Sequence, residues 1–144
     1  MRYLSVHDIV WINSTVLGET VPFDYEKLEA CMAAQYRYGK SDDVPGQLAE
    51  FLNRLLTQPA FERGNEKTAF VAASVFLIAN GLRLQINGSD VAGRFHQLVS
   101  GKTSAPEVIA ALTVKNEEPL MDITLRALIT QICNRYADVL SLLN

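Results

Sequence analysis

The sequence predicts an all-α fold, a helical bundle with one short extended stretch, organised as a single domain over residues 1–144. Three observations carry that expectation. Apolar residues recur at helical spacing through most of the chain. Ser, Asp and Pro stand where those stretches begin, and Gly or Asn-Gly stands where they end. Strand-like alternation is read only at Leu82-Arg83-Leu84-Gln85-Ile86.

Ser5-Val6-His7-Asp8 has the form of a capping box, in which Ser5 caps and Asp8 returns to the Ser5 amide. Ile9, Val10, Ile12 and Val16 then give the first helix its apolar stripe, with Trp11 partly covering it. Gly18 to Pro22 is a connector. Asp24 is the expected N-cap of a second helix that places Leu28, Cys31, Met32 and Gln35 on one face and stops at Gly39. After the polar break Ser41 to Asp43, Pro45 suits a first helical turn, and Leu48, Phe51, Leu52, Leu55 and Leu56 follow at helical spacing.

A loop from Thr57 to Gly64 leads to a fourth helix, expected from near Asn65 to Asn80-Gly81 and buried on all sides. The extended segment 82–86 ends at Asn87-Gly88, a tight-turn signal, so a minimal β-hairpin is expected near 82–88. Asp90 to Ser100 reads as a fifth helix closed by Gly101. Ser104-Ala105-Pro106-Glu107 reads as a second capping box, opening a short helix through Leu112. Thr113 to Pro119 reads as a charged linker and Met121 to Leu143 as a last helix, with Ile123, Ala127, Ile129, Ile132, Tyr136, Val139, Leu140 and Leu143 broadly periodic. That stripe either faces inward and extends the core, or faces outward and receives a partner helix or a second copy.

A net charge of -3 and a pI near 5.3 oppose binding to nucleic acid, whose affinity rests on neutralising phosphates. The longest apolar run, Ala69 to Ala79, falls short of the ~20 residues that cross a bilayer, and the N-terminus lacks the apolar core of a signal peptide. Cys31 and Cys133 have no metal-ligand spacing; two reduced core thiols and a cytoplasmic compartment are expected. His7 and His96 have no second histidine or paired carboxylate at ligand spacing and read as surface or core histidines. The group Tyr36, Arg37 and Tyr38 is explained by helix packing rather than by a stacking platform.

The informative stretch is Pro59-Ala60-Phe61-Glu62-Arg63-Gly64-Asn65-Glu66-Lys67-Thr68-Ala69. A loop that feeds a buried helix through Gly-Asn leaves backbone N–H groups unpaired and aimed outward, which suits an anion. The stretch resembles the signature loop of the Fic/Doc (death-on-curing) family, whose general pattern is His-Pro-Phe-x-Asp-Gly-Asn-(Lys or Gly)-Arg-Thr-Ala. The similarity extends to Tyr3-Leu4-Ser5-x-x-Asp8-Ile9, Asp24-x-x-x-Leu28-Glu29-Ala30, Asn80-Gly81-x-Arg83-Leu84 and Gly101 with Ser104-x-x-Glu107, spanning about residues 3–112 and leaving 113–144 outside.

The resemblance implies a compact helical bundle with its active loop between two central helices. It also implies transfer of AMP, or of a terminal phosphate, from a nucleotide to a protein hydroxyl. In the family the loop's His is the general base, the acidic residue holds magnesium, and backbone amides with the following Arg grip phosphate. Here Pro59 stands at the His position and has no titratable side chain; sliding the register brings in Gln58, which is no base either. General-base assistance is typically worth ~10²–10⁴ in rate. Arg63 stands at the acid position, where a guanidinium repels magnesium. It either pairs with Glu62 or Glu66 in solvent or contacts phosphate in place of the ion. Gly64 and Asn65 match the pattern, Gly64 permitting close approach and Asn65 able to cap the helix, or simply to start it. Lys67 keeps the charge of the family's Arg without its fork, while Glu66 adds an unfavourable charge near any phosphate.

The leading expectation is a degenerate, toxin-family pseudoenzyme that binds rather than catalyses. Arg63, Gly64, Asn65 and Lys67 would form its phosphate site, ATP or another nucleotide would be its ligand, and no metal site is expected. A small antitoxin-like protein or a translation-related target is the partner implied by the resemblance, with a homodimer through the last helix as a further option. Two alternatives stay open: an active transferase with Glu62 or Glu66 as base, and an interaction domain without a ligand.

Overall fold

Helix α1 (Val6–Leu17) opens as its sequence dictates. The Asp8 N–H donates to Ser5 Oγ, and the Ser5 N–H donates to an Asp8 carboxylate oxygen at 2.8 Å. This is seen in a computed structural model, which describes residues 2–36, 43–85, 88–116 and 123–144. Ile9 and Ile12 are fully buried and Trp11 is half-exposed. Beside them Asn13 is also buried, a polar residue on the core side of the helix.

Helix α2 (Tyr25–Ala34) is capped by Asp24, whose carboxylate accepts from the Lys27 N–H. It buries Leu28, Cys31 and Met32, then hands over to Gln35. Gln35 is buried for a reason that its position on an apolar stripe did not reveal. Its side-chain amide exchanges two hydrogen bonds with the backbone of Leu4, at 2.9 and 2.6 Å, and so ties down the N-terminal segment. Tyr36 packs its ring 4.4 Å from that of Tyr3. Arg37, Tyr38, the expected stop at Gly39 and the polar residues 41–42 lie outside the described residues.

Helix α3 (Val44–Thr57) starts at the Asp43 cap with Pro45 in its first turn, and buries Leu48, Phe51, Leu52, Leu55 and Leu56. Helix α4 (Asn65–Ala79) is the centre of the molecule. Twelve of its 15 residues are buried, so no face of it is left for solvent. It packs on α1 and α3, and Gly81, with φ of 86°, turns the chain out of it.

The extended segment after α4 is present as β1 (Leu82–Leu84), and its partner is distant in sequence. β1 pairs antiparallel with β2 (Thr113–Lys115) in the register Leu82↔Lys115, Arg83↔Val114 and Leu84↔Thr113. The stretch expected as the start of a charged linker is therefore a strand at residues 113–115, in keeping with the β-branched pair Thr113-Val114. Of the expected turn, Gly88 is the first residue of helix α5 (Gly88–Val99), and Asn87 lies outside the described residues. Helix α6 (Ala105–Leu112) packs on α3. Ser104 accepts from the Glu107 N–H as expected, but the Glu107 carboxylate accepts from Thr103 Oγ1, so only half of that box closes.

The last helix is two helices. Helix α7 (Leu125–Arg135) buries Leu128, Ile129 and Ile132 against α4 and α1, and the chain bends at Tyr136 into the four-residue α8 (Ala137–Leu140). Val139, Leu140 and Leu143 are buried too, so the stripe faces inward, although Ala127 lies outside it, exposed. The bend seats the Tyr136 ring edge-on to Phe70, with centroids 5.9 Å apart. Residues 121 and 122 of the expected helix lie outside the described residues. One apolar cluster runs from Leu4 to Leu143. No helix among the described residues is long and apolar enough to cross a membrane.

Candidate functional site

The loop before α4 is held from three sides. The Asp24 N–H donates to the Ala60 carbonyl at 2.7 Å and the Glu62 N–H to the Pro22 carbonyl at 3.0 Å, a one-residue bridge that brings the Phe23 and Phe61 rings within 5.6 Å. From below, Asn13 Nδ2 donates to the Arg63 carbonyl and to Thr68 Oγ1, both at 3.1 Å. This explains the buried polar residue of α1. At the turn, Gly64 adopts φ of 79°, a conformation that side chains rarely adopt, and a Cβ there would lie 2.9 Å from the end of the Leu17 side chain, which would have to shift.

Asn65 does not cap the helix, contrary to expectation. It is the first residue of α4, and its side chain faces back into the loop. Oδ1 accepts from the Phe61 N–H at 3.1 Å and Nδ2 donates to the Phe61 carbonyl at 2.8 Å, a pairing available only to a group that both donates and accepts. The N-cap position falls to Gly64, which has no side chain to offer.

The free amides of the first turn therefore need another acceptor, and the chain supplies it. The N–H groups of Glu66 and Lys67 both donate to the main-chain oxygen of Asn144, at 2.9 and 3.1 Å. Lys67 Nζ donates to the Leu140 carbonyl at 2.5 Å, and the Asn144 N–H donates to Glu66 Oε1 at 3.0 Å. Glu66, read from the sequence only as an unfavourable charge near any phosphate, is buried and is the receiving side of this contact. Its position in the first turn also suits the positive end of the helix dipole, worth ~0.3–1 kcal/mol.

The second correction concerns His96. The sequence gives it no partner, yet it comes from the last turn of α5 to the mouth of α4, with Nε2 2.9 Å from Glu66 Oε1. The mouth of α4, whose loop holds no histidine, thus has an imidazole beside it, oriented by a carboxylate. His7 sits elsewhere, lining a different cavity with Trp11, Phe23 and Arg126. Arg63 is half-exposed and pairs with Glu19, from the connector after α1, rather than with Glu62 or Glu66.

A cavity of about 460 Å³ opens at this point, lined by Pro59, Arg63, Gly64, Asn65, Glu66 and Lys67 together with Leu17, Leu56, Val99 and Asn144. The four residues expected to hold phosphate, Arg63, Gly64, Asn65 and Lys67, all reach it, whereas Gln58 and Glu62 are not in its lining. A larger cavity, about 710 Å³, lies between α3 and α6, but its charged lining is acidic, Asp43 and Glu50, and it offers an anion no cation. Magnesium does not fit the residues present: the acid position holds Arg63, and Glu66 is engaged by His96 and Asn144. Among the described residues no group of three or more His, Cys, Asp or Glu side chains gathers to hold a metal ion.

The two cysteines, on α2 and α7, do not line this cavity. Burial pushes the Cys31 thiol above its ordinary 9.0, with Arg54 opposing, and burial raises Cys133 likewise. Neither has thiolate character to offer near neutral pH. No family model matches this chain, and no curated protein matches it.

Proposed function

We propose that this chain is a Fic/Doc-like domain with a degenerate signature loop that acts by binding an anionic oxygen ligand, a nucleotide or phosphate group, at the mouth of α4. The observation that supports this most is the convergence of the Glu66 and Lys67 amides on a single oxygen beside a 460 Å³ cavity, with the Lys67 ammonium at its edge. Gly64 and Asn65 shape the backbone that aims those amides. Arg63 lines the cavity but shares its charge with Glu19, so it contributes less than Lys67. Neither residue at the family's His position is a base, because Pro59 cannot accept a proton and Gln58 is turned to Arg54. A protein partner, antitoxin-like or translation-related, belongs to the same reading. Calorimetric titration of the full chain with ATP, ADP, AMP and inorganic phosphate tests it. Heat that Lys67→Ala weakens by at least about ten-fold is expected, since a charge-assisted bond is worth ~1.5–3 kcal/mol. Silence with all four ligands favours the interaction domain without a ligand.

One observation favours a second reading, an active transferase of the same class. The Glu66–His96 pair has the geometry of a base and its orienting carboxylate, which the loop itself lacks. In that reading a target hydroxyl oxygen bonds to a phosphorus of ATP, its proton passes to the ring nitrogen of His96 that Glu66 leaves free, and pyrophosphate or ADP departs. Labelled ATP with cell extract decides between the two: label on a protein, lost in His96→Ala, supports transfer, and no label supports binding alone.

A further inference from the structure

Three of the large apolar side chains left exposed among the described residues share one place. Trp11 on α1, Phe23 just before α2 and Tyr25 at its start are 38%, 38% and 57% exposed, and all three line a cleft of about 300 Å³. Scattered exposed rings are ordinary, whereas rings grouped around a cleft mark a surface built for contact. The core does not need Trp11, because Ile9 and Ile12 already fill the inner side of α1.

The cleft has one side chain of fixed charge, Arg126 from α7. Its guanidinium lies 4.3 Å from the centroid of the Trp11 ring, and its N–H groups bond to no acceptor among the described residues. Contact with the ring holds the guanidinium without consuming its donors, which suit a carboxylate. His7 is the other basic group in the lining, and no carboxylate lines the cleft. A complementary ligand is therefore anionic where it meets Arg126 and apolar where it meets the rings. At the bottom of the range for small-molecule sites, ~300–1,000 Å³, the cleft suits side chains of a protein surface better than a whole nucleotide. Trp, Tyr and Arg are also the side chains that dominate protein interfaces. No residue of this cleft lines the α4 cavity, and Arg126 comes from the part of the chain outside the Fic/Doc resemblance.

We propose that this cleft docks a partner protein through an acidic side chain next to an apolar one, the carboxylate on the Arg126 guanidinium and the apolar group against Trp11, Phe23 and Tyr25. The surface is independent of the anion-binding function proposed above. A second copy of this chain is a poorer occupant, because a two-fold interface centred on the cleft would bring two Arg126 groups together.

Trp11 is the chain's single tryptophan, so its fluorescence reports this cleft directly. The probes are acetylated, amidated peptides that pair one Leu with one Glu at spacings of one to four residues, and matched peptides with Gln or Lys in place of Glu. At low salt, at least one Glu peptide is expected to shift the Trp11 emission saturably and to bind at least about ten-fold tighter than its Gln match. Arg126 is exposed, so its replacement leaves the core intact. Arg126→Glu is expected to reverse the preference from Glu to Lys peptides. No response to any Glu peptide at millimolar concentration, or equal binding of Glu and Gln peptides, overturns the proposal. So does a preference that Arg126→Glu fails to change. An equal response to inorganic phosphate shows a site for any anion and overturns the partner reading. Sedimentation that shows a wild-type dimer, dissociated by Trp11→Ser, overturns it as well, by giving the cleft to a second copy.

Discussion

Gly64 concentrates the demands on this site in one residue. Its left-handed backbone turns the loop into α4, and the Leu17 side chain fills the space where a Cβ would stand. Gly64→Ala is expected to destabilise the fold by about 1–3 kcal/mol, through left-handed strain and the contact with Leu17. Chemical denaturation measures this directly, and anion binding should weaken with it because the amides of residues 66 and 67 follow from this turn. Asn65 shows the limit of position-based reading. Its place after glycine suggested a cap, while its chemistry, one donor and one acceptor on the same planar group, matched the Phe61 peptide four residues back. Both uses fit the same sequence, and only the placement of the loop decides between them.

At the scale of elements, what is local was legible. Ser5, Asp24 and Ser104 cap the helices they precede, because a cap acts within three residues, while Asp43, read only as part of a polar break, caps α3 as well. The apolar run of α4 marked a helix buried all round. The partner of β1 was not legible, since Thr113–Lys115 lies 29 or more residues away and its pairing is made by backbone. The same holds for the occupant of the α4 mouth: a main-chain oxygen is offered by any residue, so Asn144 carries no signal in its side chain. His96 was missed because its partner Glu66 is on another helix. These findings change the obvious reversal experiment. Introducing the Fic/Doc pattern with Pro59→His, Arg63→Asp and Glu66→Lys would remove the acceptor of both His96 and Asn144. Pro59→His with Arg63→Asp, keeping Glu66, is expected to fold and to raise nucleotide-dependent labelling of a target above the wild-type level, by up to the ~10²–10⁴ of general-base assistance. Labelling that stays at the wild-type level would show that more than these two side chains separates the site from transfer.

For the molecule as a whole, one cluster joins the N-terminal segment, the central α4 and the C-terminal segment, so events at the mouth and global stability are coupled. Its buried thiols give that stability a pH dependence of known sign. Burial raises Cys31 and Cys133 above 9.0, so above that pH the unfolded chain loses thiol protons that the folded chain keeps. The contribution is intact below pH 9 and declines as pH rises beyond it. Denaturation midpoints across that range should fall, and less steeply in Cys31→Ala. The central claim, that the first-turn amides of α4 bind an anionic oxygen, is tested most directly by following the backbone amide resonances of this 16.0 kDa chain during titration with ATP and with inorganic phosphate. Saturable shifts centred on Glu66 and Lys67, shared by both ligands, are the predicted result. Shifts centred elsewhere, or none at these two amides at saturating ligand, would contradict it.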